Sequence, residues 1–179
     1  YDRSGSALDV VKRHDVGVVD DNGVEHTSKT YENLMAYLAE EDVSYKVVRD
    51  GDFISSPWSG VSIEVLSPSE DLIYKGKKAD VNENSIVLKV TYGETTYLLT
   101  GDAETEAEED LLSTYADIDA DILKAGHHGS SSSSTYEFLK AVTPDVVVIS
   151  CGADNDYGHP HIEPLENFAK FTTADKIFR

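Results

Sequence analysis

Four of the six histidines in this 179-residue sequence fall in two short segments, Gly126-His127-His128-Gly129-Ser130 and Tyr157-Gly158-His159-Pro160-His161. Each follows an apolar run, and imidazole is both the commonest metal ligand and the side chain best suited to move a proton near neutral pH. Adjacent histidines on an extended segment point in different directions. At most one of His127 and His128 would then face a given ion, leaving the other for proton transfer or for holding a substrate oxygen. Such a pair, flanked by glycines, reads equally as a site or as structure. Pro160 restricts His159 to extended backbone and so presents its imidazole as a ligand. A third segment, Tyr97-Leu98-Leu99-Thr100-Gly101-Asp102, runs a strand into Gly-Asp and sets a carboxylate at the strand's end. Taken alone, Asp102 reads as a helix N-cap or first-turn acid ahead of Glu104. His14 reads as a surface residue at a helix end and His26 as structural.

A carboxylate with imidazoles and no thiolate suits Zn²⁺ or Mn²⁺ and does not separate them. Cys151 is the single cysteine, so no intrachain disulfide forms; following Val146-Val147-Val148-Ile149-Ser150, it reads as a buried structural thiol. The sequence has no Gly-x-Ser-x-Gly, no Walker-type loop and no Gly-x-Gly-x-x-Gly, so nucleophilic serine and nucleotide-cofactor chemistry lack their usual signatures.

These segments need a scaffold, and the pattern supplies one. A short helix over 6–14 and a strand over Val16–Val19 precede a helix over Tyr31–Glu41, where Leu34, Tyr37 and Leu38 recur at helical spacing. Tyr45–Val48 is extended, and Val61–Leu66 alternates as a half-buried strand. Ser69–Glu83 is polar and reads as a surface connection that could serve as a lid. Ser85–Tyr92 and Thr95–Thr100 flank Gly93-Glu94 as a tight hairpin. A helix over Glu104–Tyr115, a strand over Asp121–Ala125, a helix over Tyr136–Val142, a strand over Val146–Ser150 and a helix over His161–Lys170 follow. Antiparallel hairpins giving way to β-α-β units predict a single α/β domain over 1–179 with mixed sheets.

Asp and Glu number 34 against 15 Lys and Arg, a formal charge of −19. Such a surface repels nucleic acid and anionic membranes unless metal or salt offsets it. Adaptation to a salty medium would account for it, since at 1 M the screening length is roughly 3 Å, and so would an acidic domain from an ordinary organism. No apolar run reaches 18 residues, so no membrane-spanning segment is expected.

With these residues in hand, the sequence resembles the metallo-β-lactamase-like domain of the ComEC-type competence (DNA-uptake) proteins and their free-standing haloarchaeal relatives. The matching stretches are Asn84-Ser85-Ile86-Val87-Leu88, Leu98-Leu99-Thr100-Gly101-Asp102, Asp121 to Ser130, and Val148-Ile149-Ser150 through His161, covering more than half of the chain in order. The resemblance implies a four-layer αββα sandwich, here expected to lack its N-terminal part and to be incomplete at the C-terminus. It implies two divalent ions, Zn or Mn, about 3.5–4 Å apart, activating a water and clamping a phosphodiester oxygen. Asp102 would bridge the ions and His159 would ligate one. His127 and His128 would divide between ligand, the role assigned to His127, and stabiliser of substrate or leaving group, the role assigned to His128.

The family's His-x-His-x-Asp-His motif would end at Tyr1-Asp2-Arg3, with Asp2 as its metal-binding and catalytic carboxylate. Arg3 stands where the last His belongs, and an Arg cannot ligate a cation. The implied activity is a metal-dependent phosphodiesterase or nuclease acting on DNA or another phosphodiester, at the cell surface or secreted, with a cytoplasmic location also open. The alternatives are a catalytically degenerate binding or regulatory domain, supported by Arg3, and a hydrolase of small esters or lactams.

Overall fold

The computed structural model describes residues 6–179, so Asp2 and Arg3 lie outside the described residues. The chain forms two compact units, one ending at Val48 and the other spanning Arg49–Arg179.

In the first unit, α1 (Ala7–Arg13), β1 (Val18–Asp21), α2 (Lys29–Glu40) and β2 (Ser44–Val47) make a β-α-β crossover with β1 and β2 parallel, Val18 opposite Ser44. Ser28 caps α2, its hydroxyl accepting the Tyr31 amide hydrogen at 3.2 Å. Val11, Leu34 and Leu38 form the buried cluster between the helices, as the helical spacing requires. The strand expected over Val16–Val19 begins two residues later, because Val16 packs against this cluster and the Val18–Asp21 backbone takes up the pairing with β2. His26 accepts the Ser28 amide hydrogen through Nδ1 at 3.0 Å, a structural role at the helix start.

The second unit carries β3 (Phe53–Ile54), β4 (Val61–Ser67), a small hairpin of β5 (Tyr74–Lys75) and β6 (Lys78–Ala79), then β7 (Val87–Tyr92), β8 (Thr95–Leu99), α3 (Thr105–Thr114), β9 (Ile122–Lys124), α4 (Tyr136–Val142), β10 (Val146–Val148), α5 (Ile162–Phe168) and β11 (Ile177–Phe178). Seven strands form one sheet in the order β11-β10-β9-β8-β7-β4-β3. It is antiparallel from β3 to β8 and parallel from β8 to β11. The mixed α/β class predicted from hairpins followed by β-α-β units is the architecture observed. Tyr92 pairs with Thr95, so Gly93-Glu94 is the two-residue turn expected.

Leu98, Leu123 and Val147 are register neighbours across β8, β9 and β10, and all three are fully buried. They meet Leu111 of α3, Phe138, Leu139 and Val142 of α4, and Phe168 of α5. Each such side chain contributes about 1.5–3 kcal/mol by leaving water. This core fixes the register in which Leu99, Lys124 and Val148 end side by side. The three candidate loops therefore leave one edge of the parallel half together.

Two expectations change. The Ser69–Glu83 stretch is not a free surface connection: it holds the β5–β6 hairpin, and Glu83 at its end is only 2% exposed. Cys151 is half-buried at the margin of the core rather than wholly inside it.

Candidate metal centre

Asp102 enters the site through a turn that tolerates only glycine before it. Gly101 has φ +57°, and a Cβ there would stand 2.8 Å from the Ser85 Cβ. The Ser85 hydroxyl accepts the Asp102 amide hydrogen at 2.9 Å. Lys124, the last residue of β9, donates from Nζ to the Gly101 and Ala125 carbonyls, both at 2.8 Å. One ammonium thus ties the carboxylate loop to the double-histidine loop.

His127 and His128 do not lie on an extended segment. They occupy a 3-10 turn, Gly126–Gly129, with φ/ψ of 43°/45° and 57°/22°. Two successive non-glycine residues in the left-handed region are uncommon and costly, and they recur where the surroundings enforce a functional geometry. The extended segment expected for the two histidines is replaced by this left-handed turn. The ring centroids are 6.3 Å apart, and His159 stands 5.6 Å from the first and 6.2 Å from the second. The 149–161 segment closes on this turn at Gly129: a Cβ there would meet Pro160 at 2.7 Å, and the Gly129 carbonyl accepts the His161 amide hydrogen at 2.8 Å.

Three of the four imidazoles face specific partners. His128 directs Nδ1 to the Ser150 carbonyl, which requires the proton on that nitrogen, and its Nε2 lies 3.6 Å from Asp102 Oδ1. That separation is too long for a hydrogen bond. His127 Nδ1 is 2.8 Å from Glu104 Oε1, so the carboxylate faces that nitrogen. His161 uses both nitrogens on backbone: Nδ1 accepts the Ser131 amide hydrogen at 2.9 Å, so Nε2 carries the proton and faces the Tyr157 carbonyl at 3.2 Å. His161 is a clamp between two loops.

Behind His127 lies a polar network whose members have no motif in the sequence. Glu104 Oε2 accepts from Lys75 Nζ at 3.2 Å, and Oε1 from the Asn82 amide at 3.1 Å. Lys75 also bridges to Glu83 and to Asp80, each at 3.3 Å. Burial alone would push Glu104 up, but hydrogen bonds from Asn82 and Lys75 hold its carboxyl below the ordinary value. Glu104 follows Asp102 by two residues, so adjacency was its only signal; Lys75 sat in a polar stretch with none.

Asp102, His127, His128 and His159 stand near one another, while Asp2 lies outside the described residues. The donor set fits a divalent ion in kind, with one carboxylate, imidazole nitrogens and no thiolate. It is not closed: among the described residues no three His, Cys, Asp or Glu side chains form a group that could hold an ion unaided.

A carboxylate and imidazoles thus stand together at the carboxyl ends of the parallel strands. Residues 77–153 match the model of the metallo-beta-lactamase superfamily. The chain is 34% identical over 166 residues to ComE operon protein 3 of Bacillus subtilis, covering 92% of this chain and 20% of that protein. It is 43% identical over 111 residues to competence protein ComA of Neisseria gonorrhoeae, covering 62% of this chain and 15% of that one. The chain thus spans a fifth or less of these curated relatives and resembles the metallo-β-lactamase-like domain of ComEC-type competence proteins. Among solved structures, CmlA, a diiron β-hydroxylase from Streptomyces venezuelae, superposes with a TM-score of 0.49 at 12% identity, over 90% of this chain and 38% of that one. No helix among the described residues is long and apolar enough to cross a membrane.

Proposed function

We propose that this chain is a metal-dependent hydrolase acting on phosphodiesters, DNA being the substrate class favoured by its resemblance to competence proteins. One observation carries the reading: His127, His128 and His159 stand within 5.6–6.3 Å of one another, centroid to centroid, beside the Asp102 carboxylate. Asp102, His127 and His159 would hold the ions, with Asp2 completing the set. When bound, two divalent ions, Zn or Mn, would supply Lewis acidity and lower the pKa of the attacking water.

The chain's own residues do the rest. Glu104 would orient His127 through its contact with Nδ1. His128, its Nδ1 tied to Ser150, keeps Nε2 on the Asp102 side of the site, where it would act on the substrate or leaving oxygen. Lys124 keeps the Asp102 and His127 loops in fixed relation. The competence resemblance also supports a place in DNA handling at the cell surface.

The test supplies Mn²⁺ or Zn²⁺ and a labelled oligonucleotide, with Asp102→Ala and His159→Ala as controls. Cleavage by the parent chain and its loss in both variants is expected; cleavage surviving both sinks the site. The open donor set among the described residues favours one second reading, a degenerate binding or regulatory domain. Fewer than one metal bound per chain under ample supply would select it.

A further inference from the structure

We propose that Tyr157 is a stacking platform for an unpaired nucleobase beside the scissile phosphodiester, a reading that rests on the phosphodiesterase function proposed above. The ring is 78% exposed, more than any other large hydrophobic side chain among the described residues. It is not a stray surface aromatic, because it stacks on His159 with centroids 5.7 Å apart and planes 23° from parallel. A group held by Tyr157 is therefore held at the rim of the histidine cluster.

The loop under the ring is built. The Asn155 amide donates to the Gly152 carbonyl at 2.8 Å and the His159 carbonyl at 2.7 Å, and its oxygen accepts the amide hydrogens of Tyr157 at 3.2 Å and His159 at 2.9 Å. The Tyr157 carbonyl faces His161 Nε2, and Arg179 donates to the carbonyls of Gly152 and Ala153. A rigid loop presenting an aromatic face to water lowers the ordering cost of binding a flat partner.

Charge argues for a base rather than a backbone. The formal charge is −19, and the two lysines hydrogen-bonded into the site's loops, Lys75 and Lys124, are engaged by carboxylates and carbonyls of the protein. Affinity gained by pairing phosphates with surface cations is weak here, whereas stacking depends on no charge and accepts any base. A base inside a duplex has both faces covered, so the strand must be single.

The test compares a single-stranded hexamer, the same strand made abasic, and a duplex, in deoxyribo and ribo forms. The parent chain is expected to cleave the base-bearing strand about ten-fold better in kcat/KM than the abasic strand, the difference lying in KM, and to cleave the duplex more slowly. Tyr157→Phe keeps the preference, and Tyr157→Ala brings the base-bearing strand down to the abasic rate in whichever sugar form is cleaved. A preference that survives in Tyr157→Ala overturns the proposal. So does an equal loss on the abasic strand, which would mean that the ring only props His159.

Binding is read without turnover using an uncharged methylphosphonate hexamer carrying 2-aminopurine, in EDTA. The parent and Tyr157→Phe should quench its fluorescence and Tyr157→Ala should not; no quench by the parent overturns the proposal. If the parent cleaves no strand, the phosphodiesterase reading fails, and the titration alone decides Tyr157.

Discussion

His127 Nδ1 rests 2.8 Å from Glu104 Oε1, and the opposite oxygen of the same carboxylate accepts from Lys75. A lysine on the small β5–β6 hairpin thus sets the orientation of a proposed ligand through one intermediate. Removing such a carboxylate partner weakens metal binding by about 10–100-fold. Glu104→Gln should show that loss in competition against a chromogenic zinc chelator, and Lys75→Met a smaller loss in the same direction. Unchanged affinity in both, with unchanged circular dichroism, would mean that the network only fastens the hairpin.

The turn before Asp102 gives a stability prediction. Gly101→Ala puts a side chain into the left-handed region and a Cβ 2.8 Å from Ser85. Together these cost about 2–4 kcal/mol. A fall in the denaturation midpoint with unchanged slope measures it. Adding Ser85→Gly removes the Ser85 clash but also the hydroxyl that accepts the Asp102 amide hydrogen, so recovery should be partial at most; a neutral Gly101→Ala would show that the loop relaxes freely.

His161 and His159 sit two residues apart and should separate cleanly. His161 uses both ring nitrogens on the Ser131 and Tyr157 backbone, so His161→Ala should lower stability by about 1–2 kcal/mol with or without metal. His159→Ala should instead abolish the rise in Tm that Zn²⁺ produces by binding the folded state. If His161→Ala removes that rise while His159→Ala keeps it, the assignments are reversed.

The sequence made these loops legible because strand, glycine and ligand-type residue follow one another within a few positions, as in Leu98-Leu99-Thr100-Gly101-Asp102. The register that aligns them was also implicit, since Leu98, Leu123 and Val147 had to share one buried row. The shape of the double-histidine turn was not legible. Left-handed backbone at His127 and His128 contradicts local propensity and is imposed by contacts of Gly126 and Gly129 with distant residues, Ala103 and Pro160. Glu104 and Lys75 were missed for a related reason, because a supporting shell is defined by distance in space and its members are 29 residues apart in sequence. The β11 pairing was equally silent, two residues being too few to show a period.

Glu108 gives the pH dependence. It is 2% exposed on α3, and its carboxylate accepts the amide hydrogens of Ser134 at 2.5 Å and Thr135 at 2.9 Å, which binds α3 to the start of α4. Burial pushes its carboxyl up to about 7; the amide hydrogen bonds from Thr135 and Ser134 oppose the shift, and the nearby Glu83 charge adds to it. A folded-state value above the unfolded one means that the folded protein binds the proton more tightly. The contribution is fully present below the unfolded value of 4.5 and is lost as pH rises through about 7. The loss is at most about 3 kcal/mol, for a shift of roughly two and a half units at 1.36 kcal/mol each. Urea titrations at pH 5 and pH 8 should show the wild-type chain losing stability between the two relative to Glu108→Gln, whose side chain cannot ionise. The depressed carboxyls of Glu104 and Asp80 act with the opposite sign, but their contributions are already complete at pH 5 and cancel from the comparison. Parallel pH profiles for the two proteins would mean that the two backbone amides hold Glu108 ionised throughout.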